Sequence, residues 1–283
     1  MLFRSAEEKE CTIITTFDGL MNPMPAPEKF IQTVKKISVG DTVELNELTR
    51  HLVELGYEKN YQAETMGEFS VRGGIIDIFP LTEETPFRIE LWGDEVDSIR
   101  SFDPESQRSI ENLEEIYIYP ACELVLTEEE RRNGVAKIQK EAEKAAEKFR
   151  KEMKTEEAYR VKSMADQIAE ETMEYGITAG LDAYLSYFCE ERVSLLDYLK
   201  KEDSIVFLDE TVRTIERGQS TETEFSESMK QRLEKGYILP GQMRELFSCK
   251  EILAKMEKMA CISLVALDLK NSHVDIKEKF VID

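Results

Sequence analysis

The 283-residue sequence holds only two histidines, His51 and His273, and its five cysteines never fall in a C-x-x-C pair. This excludes the common zinc sites, whose ligands come at short fixed spacings. The cysteines (Cys11, Cys122, Cys189, Cys249 and Cys261) are odd in number and scattered. They do not form a disulfide framework, and they point to a reducing, cytoplasmic compartment. No G-x-x-x-x-G-K-[ST] loop is present, so nothing in the chain is built to cradle nucleotide phosphates. The G-x-S-x-G and H-E-x-x-H motifs are missing as well. No apolar run approaches a membrane span, and Met1-Leu2-Phe3-Arg4 lacks the apolar core of a signal peptide. Positive charge is scarce, with 37 lysines and arginines against 58 aspartates and glutamates, a net charge of −21. A duplex would be repelled unless the bases were strongly segregated, so direct DNA binding is not expected. These absences together predict a protein without enzymatic activity, bound cofactor or metal.

What is present is 41% hydrophobic and 34% charged, enough to build a core, over a length that suits two domains or one large one. Residues 11–15 read as one buried strand and Phe17 to Met21 as a short helix, followed by a linker with Pro23, Pro25 and Pro27. One strand cannot bury itself, so residues 1–33 are expected to belong to an incomplete domain. Leu45, Leu48, Leu52 and Leu55 predict a helix over residues 43–56 that ends at Gly56. His51 falls beside these leucines and reads as an edge-of-core residue. From Gly67 the period becomes two, with strands ending at Arg72, Phe79, Trp92 and Phe102 and a two-residue turn at Gly93-Asp94. Ile116 to Tyr119 adds a last strand, which gives a compact α+β unit over residues 34–120. Residues 127–175 are helical, with Val135, Ile138, Ala142, Phe149 and Met153 on one stripe. Residues 204–208 and 261–267 read as buried strands separated by helices near 211–217, 224–235 and 247–259, a βαβ pattern. Asp209-Glu210 follows the first of these strands and, with no phosphate loop, reads as a strand-end pair. The fold class predicted is α/β, with a small α+β domain set against a larger α/β domain with long helices.

One surface feature stands out. On the strand at 87–92, Phe87, Ile89 and Leu91 take the core while Arg88, Glu90 and Trp92 point away. The chain's only tryptophan is thereby left on a polar face with Arg88, and Arg72 falls on the corresponding face of the preceding strand, so that the three form one exposed patch if these strands pair as neighbours. No lysine occurs between Lys59 and Lys137, and the α+β unit's later positive charges are Arg72, Arg88, Arg100 and Arg108. Tryptophan and arginine dominate binding hot spots, and arginine offers a rigid fork to carboxylates. The alternative is that Arg88 and Trp92 only stack on each other and on Glu90. If the patch is exposed, replacing Arg88 or Trp92 by alanine should cost within about 1 kcal/mol of stability. Both Arg72 and Arg88 would then seek carboxylates on a partner.

The run Gly67-Glu68-Phe69-Ser70-Val71-Arg72-Gly73-Gly74-Ile75-Ile76-Asp77-Ile78-Phe79-Pro80, with Phe87-Arg88-Ile89-Glu90-Leu91-Trp92-Gly93-Asp94, resembles a signature shared by UvrB and the bacterial transcription-repair coupling factors (Mfd). The Arg72-Gly73-Gly74-Ile75-Ile76-Asp77 version, followed by Ser106-Gln107-Arg108-Ser109, looks more like the coupling factors, and a weaker likeness extends over Leu181 to Leu199. The resemblance implies the N-terminal UvrB-homology module of a coupling factor, acting in nucleotide-excision repair. It implies that residues 34–120 are an inserted docking domain for UvrA, contacted through Arg72, Arg88 and Trp92. It also implies that residues 1–33 and 121–283 are parts of a degenerate helicase-like α/β domain. The family's translocase motor and RNA polymerase contact would lie outside this chain. Two other functions are weighed: an autoinhibitory domain masking the same face, and a UvrB-like damaged-DNA-binding ATPase, which the charge and the missing phosphate loop oppose.

Overall fold

The computed structural model describes residues 12–175 and 180–265. The chain opens with helix α1 (Phe17–Met21), strand β1 (Met24–Pro25), helix α2 (Pro27–Gln32) and strand β2 (Lys35–Ser38). Helix α3 (Leu45–Glu54) leads to strands β3 (Glu58–Lys59), β4 (Glu68–Arg72), β5 (Ile75–Ile78), β6 (Phe87–Trp92), β7 (Glu95–Phe102), β8 (Ser109–Leu113) and β9 (Glu115–Ile118). Two long helices follow, α4 (Glu128–Lys151) and α5 (Thr155–Tyr175), then the short α6 (Leu185–Phe188) and strand β10 (Arg192–Val193). Strand β11 (Ile205–Asp209), helices α7 (Thr211–Glu234) and α8 (Cys249–Met256) and strand β12 (Ala260–Leu264) complete the described chain.

The period-two segments form one six-stranded sheet, in the order β3-β4-β5-β6-β7-β8. It is antiparallel except for the β3–β4 pair. One face buries Phe69, Ile76, Ile78, Phe87, Ile89 and Ile99 against Leu48, Leu52 and Leu55 of α3. The β2–β9 ribbon adds Ile37, Ile116 and Ile118 to this core. Two-residue turns join β4 to β5 and β6 to β7, and each has a glycine with positive φ at its first position, Gly73 (+61°) and Gly93 (+65°). Only glycine adopts that conformation without steric cost. A second core lies between α4, α5 and α6. The third joins Phe17, Leu20 and Met21 of α1 to Leu208, Ile215, Ile252 and Met256. The start and the end of the described chain therefore share a core, and the six-stranded sheet is inserted between them. This is the α/β architecture with a small inserted α+β domain that the sequence predicts.

Several elements differ from the sequence reading. Residues 12–15 form no strand; Thr16 instead caps α1 by accepting a hydrogen bond from Gly19 N (3.1 Å). The proline-rich stretch is structured, since β1 pairs with β10 and Pro27 begins α2, where its missing N–H costs nothing. The helical stretch 127–175 breaks at Met153 (φ +60°), which is exposed and lies off the buried stripe of α4. Residues 211–234 are one helix, not two. Its polar middle hides the continuity, and Gly218 leaves room for the Phe17 ring, which an added Cβ would meet at 2.3 Å. Strands β11 and β12 pair in parallel, as a βαβ unit requires, but they are not buried. Ile205, Phe207, Ile262 and Leu264 share one open face, and Phe207 is 61% exposed. Residues 266 and 267 lie outside the described residues.

Ile89 is fully buried at the centre of the sheet. Ile89→Ala should lower stability by about 2–5 kcal/mol through the cavity it leaves. Thermal or urea unfolding measures this, and a change under about 1 kcal/mol would contradict this packing.

Candidate functional site

The second face of the six-stranded sheet is polar, and pairing across its strands sets the site. Ser70, Asp77, Arg88 and Arg100 lie opposite one another in a row across β4, β5, β6 and β7. Arg72, Ile75, Glu90 and Ser98 form the next row, and Trp92 lies one pleat further along β6. Arg72 and Arg88 therefore share a face, as the sequence implies, but their strands are not neighbours. Strand β5 lies between them, and its Asp77 joins the two.

Asp77 is the residue the sequence reading missed. Its side chain is only 2% exposed, yet it carries a carboxylate. Arg88 donates to it through a fork, Nε to Oδ1 at 2.6 Å and Nη2 to Oδ2 at 2.8 Å. Arg72 Nη2 donates to the same Oδ2 at 2.6 Å. A buried carboxylate is tolerable only when it is paired and hydrogen-bonded, and here two guanidiniums supply both. Hydrogen bonding to Asp77 raises the Arg88 pKa above its ordinary value, against the burial that lowers it. Arg88 Nη2 also donates to Gln107 Oε1 (2.8 Å), and its guanidinium lies 4.3 Å from the centre of the buried Phe102 ring. With its side chain 14% exposed, Arg88 has its fork occupied from within the domain. The sequence reading gave that fork to a partner. Arg72, 38% exposed at the side chain, commits Nη2 inward and presents the rest of its guanidinium outward.

Gln107 comes from the loop between β7 and β8 and has φ +60°, an uncommon conformation for a residue with a Cβ. The loop is tied by Gln107 N to Asp103 O (2.8 Å) and Asp103 N to Arg108 O (2.9 Å). Ser106 N donates to Asp103 Oδ1 (2.7 Å), and Ser106 holds that carboxyl below the usual range. A glutamine in a polar loop gives no signal in the sequence for this role. Asp77 did give one: a lone carboxylate between Ile76 and Ile78 on an otherwise apolar strand.

Trp92 is 83% exposed and stacks on neither Arg88 nor Glu90. Glu90 instead pairs with Arg100 and accepts from Ser98 Oγ (3.1 Å). The Trp92 hairpin is clamped from the side by residues 40–43. Gly40 N donates to Val96 O (2.9 Å), Val96 N to Asp41 O (2.9 Å) and Val43 N to Asp94 O (2.6 Å). A large apolar ring is thus held in water on a fixed turn, on the same sheet face as the half-exposed Arg72 guanidinium but two strands and one row away from it. Tryptophan and arginine on one exposed face fit a protein-docking surface.

The other candidates lie elsewhere. His51 sits on α3, where burial lowers its pKa, and its Nδ1 is 3.8 Å from Glu54. Asp209 ends β11, and Glu210 turns the chain into α7 with φ +47°. His273 lies outside the described residues. Among the described residues, no group of His, Cys, Asp and Glu is placed to hold a metal ion, and no helix is long and apolar enough to cross a membrane.

This surface falls in a segment that is similar to a known family. Residues 36–124 match the UvrB interaction domain. The match takes in the whole six-stranded sheet, with Arg72, Asp77, Arg88, Trp92 and Gln107. The chain is 37% identical over 246 residues to the transcription-repair-coupling factor of Bacillus subtilis strain 168, covering 87% of this chain and 20% of that protein. It is 34% identical over 212 residues to UvrABC system protein B of Thermosipho africanus, covering 73% of this chain and 32% of that protein. A Staphylococcus aureus transcription-repair-coupling factor (strain bovine RF122) is 31% identical over 271 residues, 95% of this chain and 23% of its own length. The resemblance carried by the strand signature is thus borne out along most of the chain. The chain spans between a fifth and a third of the length of these relatives.

The two aromatic and arginine positions should part in stability measurements. Trp92→Ala should change stability by no more than about 0.5 kcal/mol, as an exposed residue. Arg88→Ala should cost about 3 kcal/mol, because it leaves Asp77 buried with half its compensation. This replaces the small loss that exposure would predict. Paired thermal melts decide, and an Arg88→Ala variant as stable as the parent would contradict the buried pairing.

Proposed function

We propose that this chain is the UvrA-docking module of a transcription-repair coupling factor, acting in nucleotide-excision repair in the bacterial cytoplasm. The observation that carries the reading is the exposed Trp92 on the same sheet face as the Arg72–Asp77–Arg88 cluster, within the segment that matches the UvrB interaction domain. Trp92 is the apolar anchor, and Arg72 offers a charged hydrogen-bonding edge to a carboxylate on UvrA. Arg88 belongs to the site as the post that holds the cluster together. Residues 34–120 form the docking unit. The α1 segment and residues 121–283 belong to a degenerate helicase-like domain, and the core that α1 shares with α7, α8 and β11 supports this division. The module has no ATPase or translocase activity of its own, a reading supported by the missing phosphate loop. With a net charge of −21, it does not bind DNA by itself.

Isothermal titration of the purified chain with UvrA tests this. Binding is expected, and no heat and no co-elution at tens of micromolar would overturn the reading. Trp92→Ala should weaken binding by about 2 kcal/mol, roughly thirtyfold. Arg72→Glu should weaken it further by setting like charges against each other. Added salt should slow association more than it speeds release. A fluorescent ATP analogue should show no saturable binding, with or without DNA.

A further inference from the structure

Resting on the UvrA reading, we propose that Asp77 is the positioning residue of the docking surface. It never touches the partner, but it sets the guanidinium that does. Three charge-assisted hydrogen bonds converge on its carboxylate from strands on either side of β5. The side chain is too deeply buried to meet another protein. Arg88, held by Asp77, Gln107 and the Phe102 ring, cannot swing outward without leaving Asp77 partly uncompensated. Arg72 is different, because it spends only Nη2 on Asp77 and keeps Nε and Nη1 for an outside acceptor. A surface arginine normally pays in rotamer entropy when it binds. Asp77 removes much of that loss by fixing Arg72 before contact.

The partner implied is correspondingly specific. Two guanidiniums and one carboxylate leave the cluster a single positive charge, and the neighbouring Arg100–Glu90 pair adds none. The complementary patch should therefore present one carboxylate to Arg72 and an apolar recess to Trp92, and not a carboxylate for each arginine. Asp77 should govern affinity through Arg72, while Trp92 acts independently.

A double-mutant cycle tests this on the full chain, with purified UvrA as the titrant. Asp77→Asn keeps the side-chain volume and removes the charge. It should weaken UvrA binding about tenfold or more in the parent, yet by less than about twofold in an Arg72→Gln background. A merely structural role would lower affinity equally in both backgrounds, and that result overturns the proposal. An equal effect of Asp77→Asn in the parent and in a Trp92→Ala background is also expected. If the parent chain binds no UvrA, the functional reading itself fails, and the positioning role falls with it. A measurement without any partner guards against an Asp77→Asn chain that does not fold. In nitrogen-edited NMR of the parent, the Arg88 Nε–H should exchange slowly with water, and rapid exchange would overturn the lock.

Discussion

A single buried carboxylate organises the polar face of this sheet. Removing an ion from water costs several kcal/mol in a protein interior, and Asp77 recovers that only through Arg72 and Arg88 acting together. That requirement fixes what surrounds it. Arg88 reaches across to β5 with its guanidinium over Phe102 and within reach of Gln107, so the β7–β8 loop is tied there. Arg72 must bend inward at the end of β4, which leaves one edge of its guanidinium outside. The polar face is thus specified nearly as tightly as the apolar one, by charge pairing in place of close packing.

The surroundings give this cluster its contrast. The chain is strongly acidic, so a carboxylate-bearing partner meets repulsion over most of the surface. At physiological ionic strength that repulsion fades over about 8 Å, and the net positive cluster at Arg72 stands out only at close range. Attraction is therefore local and geometric. Trp92 adds apolar area on a hairpin already clamped by residues 40–43, so the main chain beneath it loses little freedom on contact. An apolar ring on a clamped hairpin and a preset guanidinium, set in an acidic chain, favour specificity over indiscriminate affinity.

The sequence was most legible where period and turn chemistry agree. Alternation over 87–92 and the turn at Gly93-Asp94 define the central hairpin, its faces and the exposure of Trp92. Asp77 escaped because pairing across strands is non-local: no spacing along the chain says that β5 separates the two arginine strands. For the same reason Arg88 read as an exposed group, although an internal carboxylate already occupies its fork. Short strands such as β3 and β10 have too few residues to show a period and exist only through their partners. The prolines at 23–27 read as a linker because composition does not reveal that β10 waits to pair with β1. Strands β11 and β12 look apolar enough for burial, yet every residue of β12 is exposed and β11 fully buries only Leu208.

The placement of the Trp92 hairpin follows from how the insert is tethered. Its entry and exit strands, β2 and β9, pair with each other, so the chain enters and leaves the sheet domain side by side near Lys35 and Ile118. The ribbon then runs to Ser38 and Glu115, where residues 40–43 take over and clamp the Trp92 hairpin. The ribbon's apolar residues, Ile37, Ile116 and Ile118, belong to the same core as Ile89, beneath the strand that carries Arg88 and Trp92. The hairpin is thereby fixed at the end of the ribbon away from its attachment. Main-chain bonds, a shared apolar core and a buried ion cluster all hold that one edge rigid.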